Sequence, residues 1–175
     1  SSNISKNIAE NEQFLKNIFQ NCSDIIFREI MIYGETKLLL IHVDGMINTD
    51  IITSNVLKPL MYDGLPQGLG TIDSIAQMCE QELFSVLPIK KLSNYGDIVD
   101  HILKGNAAIL ADGENTAVLA DVSKLEHRAI VEPFNEGSIR GPREGFIELL
   151  RVNTTMLRRI LATPKLKFES LKIGN

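Results

Sequence analysis

The sequence is poor in the residues from which proteins build metal centres and disulfide frameworks. It has only two cysteines, Cys22 and Cys79, and three histidines, and none of them stands at the spacing of metal ligands. We therefore expect no metal site. We interpret the two cysteines as structural thiols of a protein from a reducing compartment.

Long apolar runs and a net positive charge are missing as well. The longest uncharged apolar stretches fall far short of the roughly 20 residues that a membrane-spanning helix needs, and no signal peptide is visible. A formal net charge of −4 argues against general nucleic-acid binding, which requires a broad positive field. The chain ends abruptly at "KIGN", so we expect a fragment of a larger protein.

No pattern of catalytic residues stands out. The glycine-rich segment "GLPQGLG", residues 64–70, lacks the Gly-Lys-Ser/Thr ending of a phosphate-binding loop. Ser74 and Ser85 have no His-Asp pair near them, and turn chemistry explains Asp112-Gly113. We therefore predict no catalytic residue and no cofactor, with a small α/β hydrolase or transferase as the enzymatic alternative.

The apolar residues that are present suffice for one domain with a core, or for two small lobes. Their periodicity predicts, in chain order, a helix over 5–20 with Ser5 as N-cap, a hairpin of 25–33 with 37–43, helices over 49–61 and 72–86, a short helix from Asn94 or Asp97 to Gly105, a second hairpin around 112–115, a strand near 128–132 and a helix over 144–161. The run 38–41 has no polar alternation, so we expect its strand to be covered on both faces. Strands interleaved with helices favour an α/β fold, with α+β as the alternative, built on a small mixed sheet with flanking helices.

Five of the seven arginines gather around one Gly-Pro turn and the helix after it. They are Arg140, Arg143, Arg151, Arg158 and Arg159. On a helix over 144–161, the spacing places six apolar residues on one side, which we expect to pack inward. These residues are Phe146, Leu149, Leu150, Leu157, Ile160 and Leu161.

The opposite side of that helix is polar, and we interpret it as a solvated face with internal ion pairs such as Glu148 with Arg151. Its residues are Glu144, Glu148, Arg151, Thr155 and Arg158. Asn153 falls within the apolar side. We therefore expect a buried amide that bonds to a loop or to a neighbouring helix.

Arg140 and Arg143 flank Gly141-Pro142, outside the polar side of the helix. Pro142 suits the first turn of a helix, where unpaired backbone N–H groups also lie. Two guanidinium groups beside such N–H groups favour binding of a partner's carboxylate or of an anion.

The segment "EPFNEGSIRGPREGFIELLRVNTTMLRRI" resembles the signature of the A subunit of spore germinant receptors, the GerA family of endospore-forming bacteria. The matching positions are Glu132-Pro133, Ile139, Arg140, Gly141, Pro142, Arg143, Glu144, Gly145, Phe146, Glu148, Leu150-Arg151, Asn153 and Arg158-Arg159. Segments at 22–29, 42–48, 56–61, 102–113 and 163–174 resemble the family too, so the likeness covers nearly the whole chain. Ile160 stands where the family often has a third consecutive arginine.

The resemblance implies a non-enzymatic soluble domain that senses or relays nutrient binding and so triggers germination. The subunit would act with B-type and C-type subunits in the spore inner membrane. We divide the chain into an N-terminal helix over 1–23, an α/β lobe over 24–132, an arginine-rich connecting helix over 133–163, and a strand over 164–175 that begins a second lobe. The five clustered arginines would contact the second lobe, the membrane region of the same chain or another subunit.

Two alternatives stay open. A nutrient such as an amino acid, a sugar or a nucleoside could bind directly in a cleft between the two lobes, as in solute-binding proteins. The chain could instead be an oligomerisation scaffold in which the helix over 144–161 packs against copies of itself.

Overall fold

The computed structural model describes residues 2–32, 36–58, 88–122, 142–171 and 173, and within these it describes residues 55, 56 and 142–148 by their backbone alone. Its elements are α1 (Ile8–Ile18), β1 (Ile25–Ile32), β2 (Thr36–Val43), α2 (Thr49–Ile52), a π-helical turn (Thr53–Leu57), β3 (Ile89–Leu92), α3 (Tyr95–Leu103), β4 (Ala107–Ala111), β5 (Ala117–Ala120) and α4 (Pro142–Ile160). The helix predicted over 72–86, the strand predicted near 128–132, the segment 64–70 and Cys79 lie outside the described residues.

The five described strands form one antiparallel sheet in the order β1-β2-β4-β5-β3. Both predicted hairpins are confirmed, since β1 pairs with β2 and β4 pairs with β5. All six residues from Leu38 to Val43 in β2 are buried, as the run without polar alternation predicts for a strand covered on both faces. The predicted sheet with flanking helices is therefore confirmed, but its described strands are all antiparallel and not mixed as predicted.

The first helix, α1, begins later than the sequence predicts. Its N-cap is Asn7, whose Oδ1 accepts a hydrogen bond from the backbone N–H two residues on at 2.9 Å. The prediction of Ser5 as the cap was wrong: Ser5 lies two residues before the cap, and its Oγ accepts from the N–H of Asn7 at 3.1 Å. Leu15 of α1 is buried on the side of the helix that faces the sheet. Phe19, just after the end of α1, packs edge-on against Phe27 of β1.

The short helix α3 confirms the prediction from Asn94 to Gly105, with Asn94 as its cap. Asn94 Oδ1 accepts from the N–H of Gly96 at 2.8 Å, and Gly105 takes a φ of +94° just after the helix. At the first residue of α3, the Tyr95 ring stacks on Phe14 of α1 and its hydroxyl donates to Asn11 Oδ1 at 2.5 Å. This buried contact joins the two helices.

Two features of the lobe go beyond the sequence-based predictions. Strand β3 was not predicted, because in "IKKL" both lysines are exposed and four residues give too little alternation to detect. Asp112, interpreted only as a turn residue, also accepts a hydrogen bond from the N–H of Ile8 at 3.1 Å. The β4–β5 turn therefore helps to hold the start of α1.

Candidate functional site

The arginine-rich helix α4 runs from Pro142 to Ile160 and so confirms the helix predicted over 144–161. Three of its side chains, Arg151, Thr155 and Arg158, contact the end of the β1–β2 hairpin. Their spacing of four and then three residues places them on one face of the helix. We call these three residues the docking stripe.

The docking stripe meets two aspartates at the end of the hairpin. Asp24 precedes β1 and Asp44 follows β2, and the N–H of Asp44 donates to the carbonyl of Asp24 at 2.7 Å. The two aspartates lie close together because of the strand register. Ile25 and Val43 are paired, so the residues next to them, Asp24 and Asp44, lie opposite each other. The hairpin therefore presents two carboxylates side by side.

Arg158 binds Asp24 with two parallel hydrogen bonds. Nε donates to Oδ2 at 2.6 Å and Nη2 donates to Oδ1 at 2.7 Å, the two-pronged geometry that a guanidinium and a carboxylate prefer. Nη1 also donates to the carbonyl of Thr163 at 2.8 Å, and Nη2 to that of Leu166 at 3.0 Å. The centroid of the Phe168 ring lies 5.1 Å from the guanidinium carbon. One side chain thus connects α4, the hairpin and the segment after α4.

This ion pair is buried, because the side chain of Arg158 is 0% exposed and that of Asp24 is 8% exposed. Burial opposes the charge of the guanidinium, but the hydrogen bonds and the charge of Asp24 outweigh burial and raise the pKa of Arg158 above its ordinary value. Within the described residues, every buried side-chain nitrogen or oxygen has a hydrogen-bond partner. The pair is therefore a satisfied internal contact.

The other end of the docking stripe is more open. Arg151 Nη2 donates to Asp44 Oδ1 at 2.6 Å, but these two side chains are 55% and 41% exposed. Thr155 Oγ1 donates to the carbonyl of Asp44 at 3.3 Å. Gly45 lies beneath this contact with a φ of +78°, and a Cβ atom there would stand 2.6 Å from Thr155 Oγ1. Glycine is required for both the backbone conformation and the close approach of α4.

The segment after α4 runs back to the start of β1. The N–H of Ser23 donates to the carbonyl of Phe168 at 2.7 Å, and Cys22 forms an isolated parallel bridge with Phe168. Cys22 is buried and its thiol lies 3.5 Å from the carbonyl of Leu166. A strand was predicted over 164–175, but its described part forms only this single bridge and no extended β-ladder. The apolar side chain of Leu171 in this segment is 81% exposed.

The burial of α4 is the reverse of what the sequence predicts. The described residues of the side expected to pack inward are 46–71% exposed: Leu149, Leu150, Leu157, Ile160 and Leu161, together with Val152 and Met156. Thr155 and Arg158, expected on a solvated face, are buried. Asn153, expected to be buried, is exposed. The reason is the pair of carboxylates at the hairpin end, which binds the arginine side of the helix.

The other residues predicted as contacts or signature positions divide into three groups. Arg159 is described and its side chain is exposed. Arg140, Glu132, Pro133 and Gly141 lie outside the described residues. Pro142, Arg143, Glu144, Gly145, Phe146 and Glu148 are described by their backbone alone, within the first two turns of α4.

Sequence reasoning missed Asp24 and Asp44 as the partners of the arginines. A signal was present, because an aspartate stands at each outer end of the predicted first hairpin, and hairpin ends lie side by side. The sequence did not show that α4, more than a hundred residues later, would reach that end.

A groove of about 460 Å³ lies between the end of α1, the start of β1 and the segment after α4. Lys16, Asn21, Phe27 and Phe168 are among its lining residues. In the described part of the chain, no group of three or more His, Cys, Asp or Glu side chains could hold a metal ion. None of the described helices combines the length and the apolar character needed to cross a membrane.

The chain resembles spore germination proteins over nearly its whole length. Over all of its length it is 33% identical to spore germination protein KA of Bacillus subtilis (strain 168), of which it covers 31%. Over 98% of its length it is 32% identical to the membrane protein YfkQ of the same strain, of which it covers 32%. The chain thus spans about a third of the length of these curated relatives.

The fold is also that of a solved structure, the N-terminal domain of the A subunit of the Bacillus megaterium spore germinant receptor GerK3. The TM-score is 0.74 at 23% identity, and the match covers 99% of this chain and 62% of that one. Residues 13–175 match the family model described as Bacillus/Clostridium GerA spore germination protein. The chain therefore belongs to the GerA family of spore germination proteins.

Proposed function

We propose that this chain is the N-terminal part of a germinant receptor A subunit, and that it relays nutrient binding to a membrane region of the same receptor in the spore inner membrane. Its family membership and the names of its relatives support the assignment to spore germination. The fold shared with the GerK3 domain supports its place at the N-terminus of an A subunit. The proposal assigns the chain no catalytic step.

The observation that carries the relay is the position of Arg158. Its guanidinium joins the hairpin, α4 and the segment after α4 through two buried and two partly buried hydrogen bonds. A displacement of the hairpin therefore moves α4 with it, because a buried two-pronged ion pair tolerates little change in geometry. In this proposal, ligand or partner binding at the lobe changes the direction in which α4 leads the rest of the polypeptide.

The start of α4 has a different role in this proposal. Arg151 and Arg158 attach the helix to the lobe, whereas Arg140 and Arg143 contact acidic groups of the second lobe or of a B-type or C-type subunit. The unpaired N–H groups at the start of a helix favour such anionic partners.

Germination assays test the proposal in two steps. Spores without the gene for the full-length protein should lose their response to at least one amino acid, sugar or nucleoside, measured as the fall in optical density. Spores in which the full-length protein carries Arg143→Ala should lose the same response, because α4 no longer engages its partner.

The exposed Lys104, which follows α3, supplies the matched control. Lys104→Ala should leave the response unchanged, and immunoblots should find both variants at the parent level. An unchanged response in the deletion spores would contradict the receptor assignment. A normal response in Arg143→Ala spores alone would contradict the role of α4 as the joint.

Direct nutrient binding is the second candidate function, and the groove of about 460 Å³ favours it. Small-molecule sites typically measure about 300–1,000 Å³ and combine apolar walls with a few polar groups. Here the lining residues include the aromatic Phe27 and Phe168 and the polar Lys16 and Asn21. Isothermal titration with amino acids and sugars should give saturable heat if the groove binds one of them, and Phe168→Ala should abolish that heat.

A further inference from the structure

Helix α4 presents an apolar face to the outside of the lobe. It consists of seven exposed residues, which we call the apolar face of α4: Leu149, Leu150, Val152, Met156, Leu157 and Ile160 of the helix, and Leu161 directly after it. At 100° per residue they cover about half of the helix circumference, centred opposite the docking stripe. Monomeric proteins rarely expose contiguous apolar patches beyond a few hundred Å², and larger ones mark contact sites.

The docking stripe fixes the direction of the apolar face. Rotation of α4 to bury its leucines would break the two hydrogen bonds between Arg158 and Asp24 and the bond between Arg151 and Asp44. The lobe does not use these leucines either, since the hydrophobic core of the described residues contains no residue of α4. The face is therefore directed away from the lobe by the bonds on its other side.

The segment after α4 adds two more exposed apolar residues. Leu171 is 81% exposed and Ile173 is 94% exposed. Both apolar side chains therefore lie exposed near the end of the described chain.

We propose that the apolar face of α4 is covered by the part of the same polypeptide that completes its N-terminal domain outside residues 1–175. This inference rests on the proposed function. The chain covers only 62% of the GerK3 N-terminal domain, so more than a third of a domain of this kind remains to pack against it. Attachment within one polypeptide gives that segment an effective concentration of about millimolar, which favours it over a second copy of the chain.

The chemistry of the face defines the surface that covers it. Seven apolar side chains require an apolar partner surface with few charges at its centre. Asn153 falls within the same arc and is exposed, so the partner must offer its amide a hydrogen-bonding group. One polar group in an apolar contact fixes the register of the two surfaces.

Cysteine labelling of the full-length protein tests the proposal. Met156→Cys stands on the apolar face, and Lys104→Cys is the exposed control on the lobe. We expect maleimide to label Met156→Cys at least tenfold more slowly than Lys104→Cys in the folded protein. The two rates should become equal in denaturant, and the parent protein gives the background from its native cysteines, which include Cys22 and Cys79.

A cross-linker from the introduced cysteine to nearby lysines then identifies the segment that covers the face. We expect cross-links to residues of the same polypeptide that follow or precede residues 1–175. Ile160→Glu should speed the labelling of Met156→Cys by opening the contact, whereas Lys165→Glu, at an exposed position just after α4, should not.

Four outcomes would overturn the proposal. They are labelling of Met156→Cys as fast as the control, cross-links confined to residues 1–175, a cross-linked species of twice the mass, and cross-links to another subunit. Germination is not a readout here, so a negative result leaves the receptor assignment intact. Normal germination of deletion spores would in turn contradict the receptor assignment without affecting the labelling.

Discussion

Arg158 and Arg151 make the same kind of bond to neighbouring aspartates, yet they lie in opposite environments. The Arg158 and Asp24 side chains are 0% and 8% exposed, whereas those of Arg151 and Asp44 are 55% and 41% exposed. Water and dissolved ions can solvate the charges of the exposed pair when its ion pair is broken. Removal of one buried partner, in contrast, leaves the charge of the other buried and uncompensated. The comparison teaches that burial, more than the distance between the charges, decides how much each arginine holds α4 on the lobe.

The largest expected effect comes from the buried end of the docking stripe. Arg158→Met should lower the free energy of unfolding by about 3–5 kcal/mol, because Asp24 is left buried without its partner. Urea unfolding followed by circular dichroism measures the change. Arg158→Lys keeps the charge but loses the two-pronged geometry, so its loss should be intermediate.

The double variant Arg158→Met with Asp24→Leu removes both charges and serves as the control. It should recover much of the stability that Arg158→Met loses, since no unpaired charge then remains. An Arg158→Met protein that unfolds at the parent's urea midpoint would show that the guanidinium is not buried in this contact.

The close approach of α4 to Gly45 gives the next effect. Gly45→Ala should lower the free energy of unfolding by more than about 1–2 kcal/mol, since it combines a left-handed backbone with a Cβ atom placed 2.6 Å from Thr155 Oγ1. Gly113→Ala is the matched control, with a φ of +86° and no atom within 4 Å of the added Cβ. It should show the backbone penalty alone, near 1–2 kcal/mol.

The difference between these two glycine variants isolates the contact with the helix. The double variant Gly45→Ala with Thr155→Ala lacks the hydroxyl that meets the new Cβ atom. Its loss of unfolding free energy should therefore be smaller than that of Gly45→Ala and close to that of Gly113→Ala. Equal losses for the two single variants would mean that α4 does not approach Gly45 as closely as the structure places it.

The smallest effect is expected at the exposed end of the docking stripe. Arg151→Ala should lower the free energy of unfolding by about 0.2–1 kcal/mol, the usual contribution of an exposed ion pair. Because mobile ions screen exposed charges, this difference should shrink in 1 M salt, whereas the loss for Arg158→Met should persist. A loss for Arg151→Ala as large as that for Arg158→Met would remove the distinction between the two ends.

The parts of the fold that the sequence predicts are those set by local chemistry. The two hairpins follow from apolar strand runs on either side of short polar turns, and α3 follows from Asn94 before it and Gly105 after it. Strand β3 was not predicted because its four residues are too few to show an alternating pattern. The N-cap of α1 was misplaced because Ser5 and Asn7 both have side chains that accept from backbone N–H groups.

The candidate site was predicted only in part, for a different reason. The sequence places Arg151, Thr155 and Arg158 on one side of a helix and the leucines on the other, and this grouping is what the structure has. It predicts the wrong side for burial, because the rule that apolar residues turn inward assumes that nothing else binds the polar side. The partners that do so, Asp24 and Asp44, lie 134 and 107 residues away from their arginines along the chain.

By itself, the sequence determined that residues 144–161 form a two-sided helix, because a spacing of three and four residues fixes which side chains share a face. It also determined the family, through the run from Ile139 to Phe146 and the segments around it. Only the tertiary structure decided which face of the helix meets the lobe. That choice depends on two carboxylates brought together at one end of a hairpin, and their attraction for two guanidinium groups acts between residues that no local pattern connects.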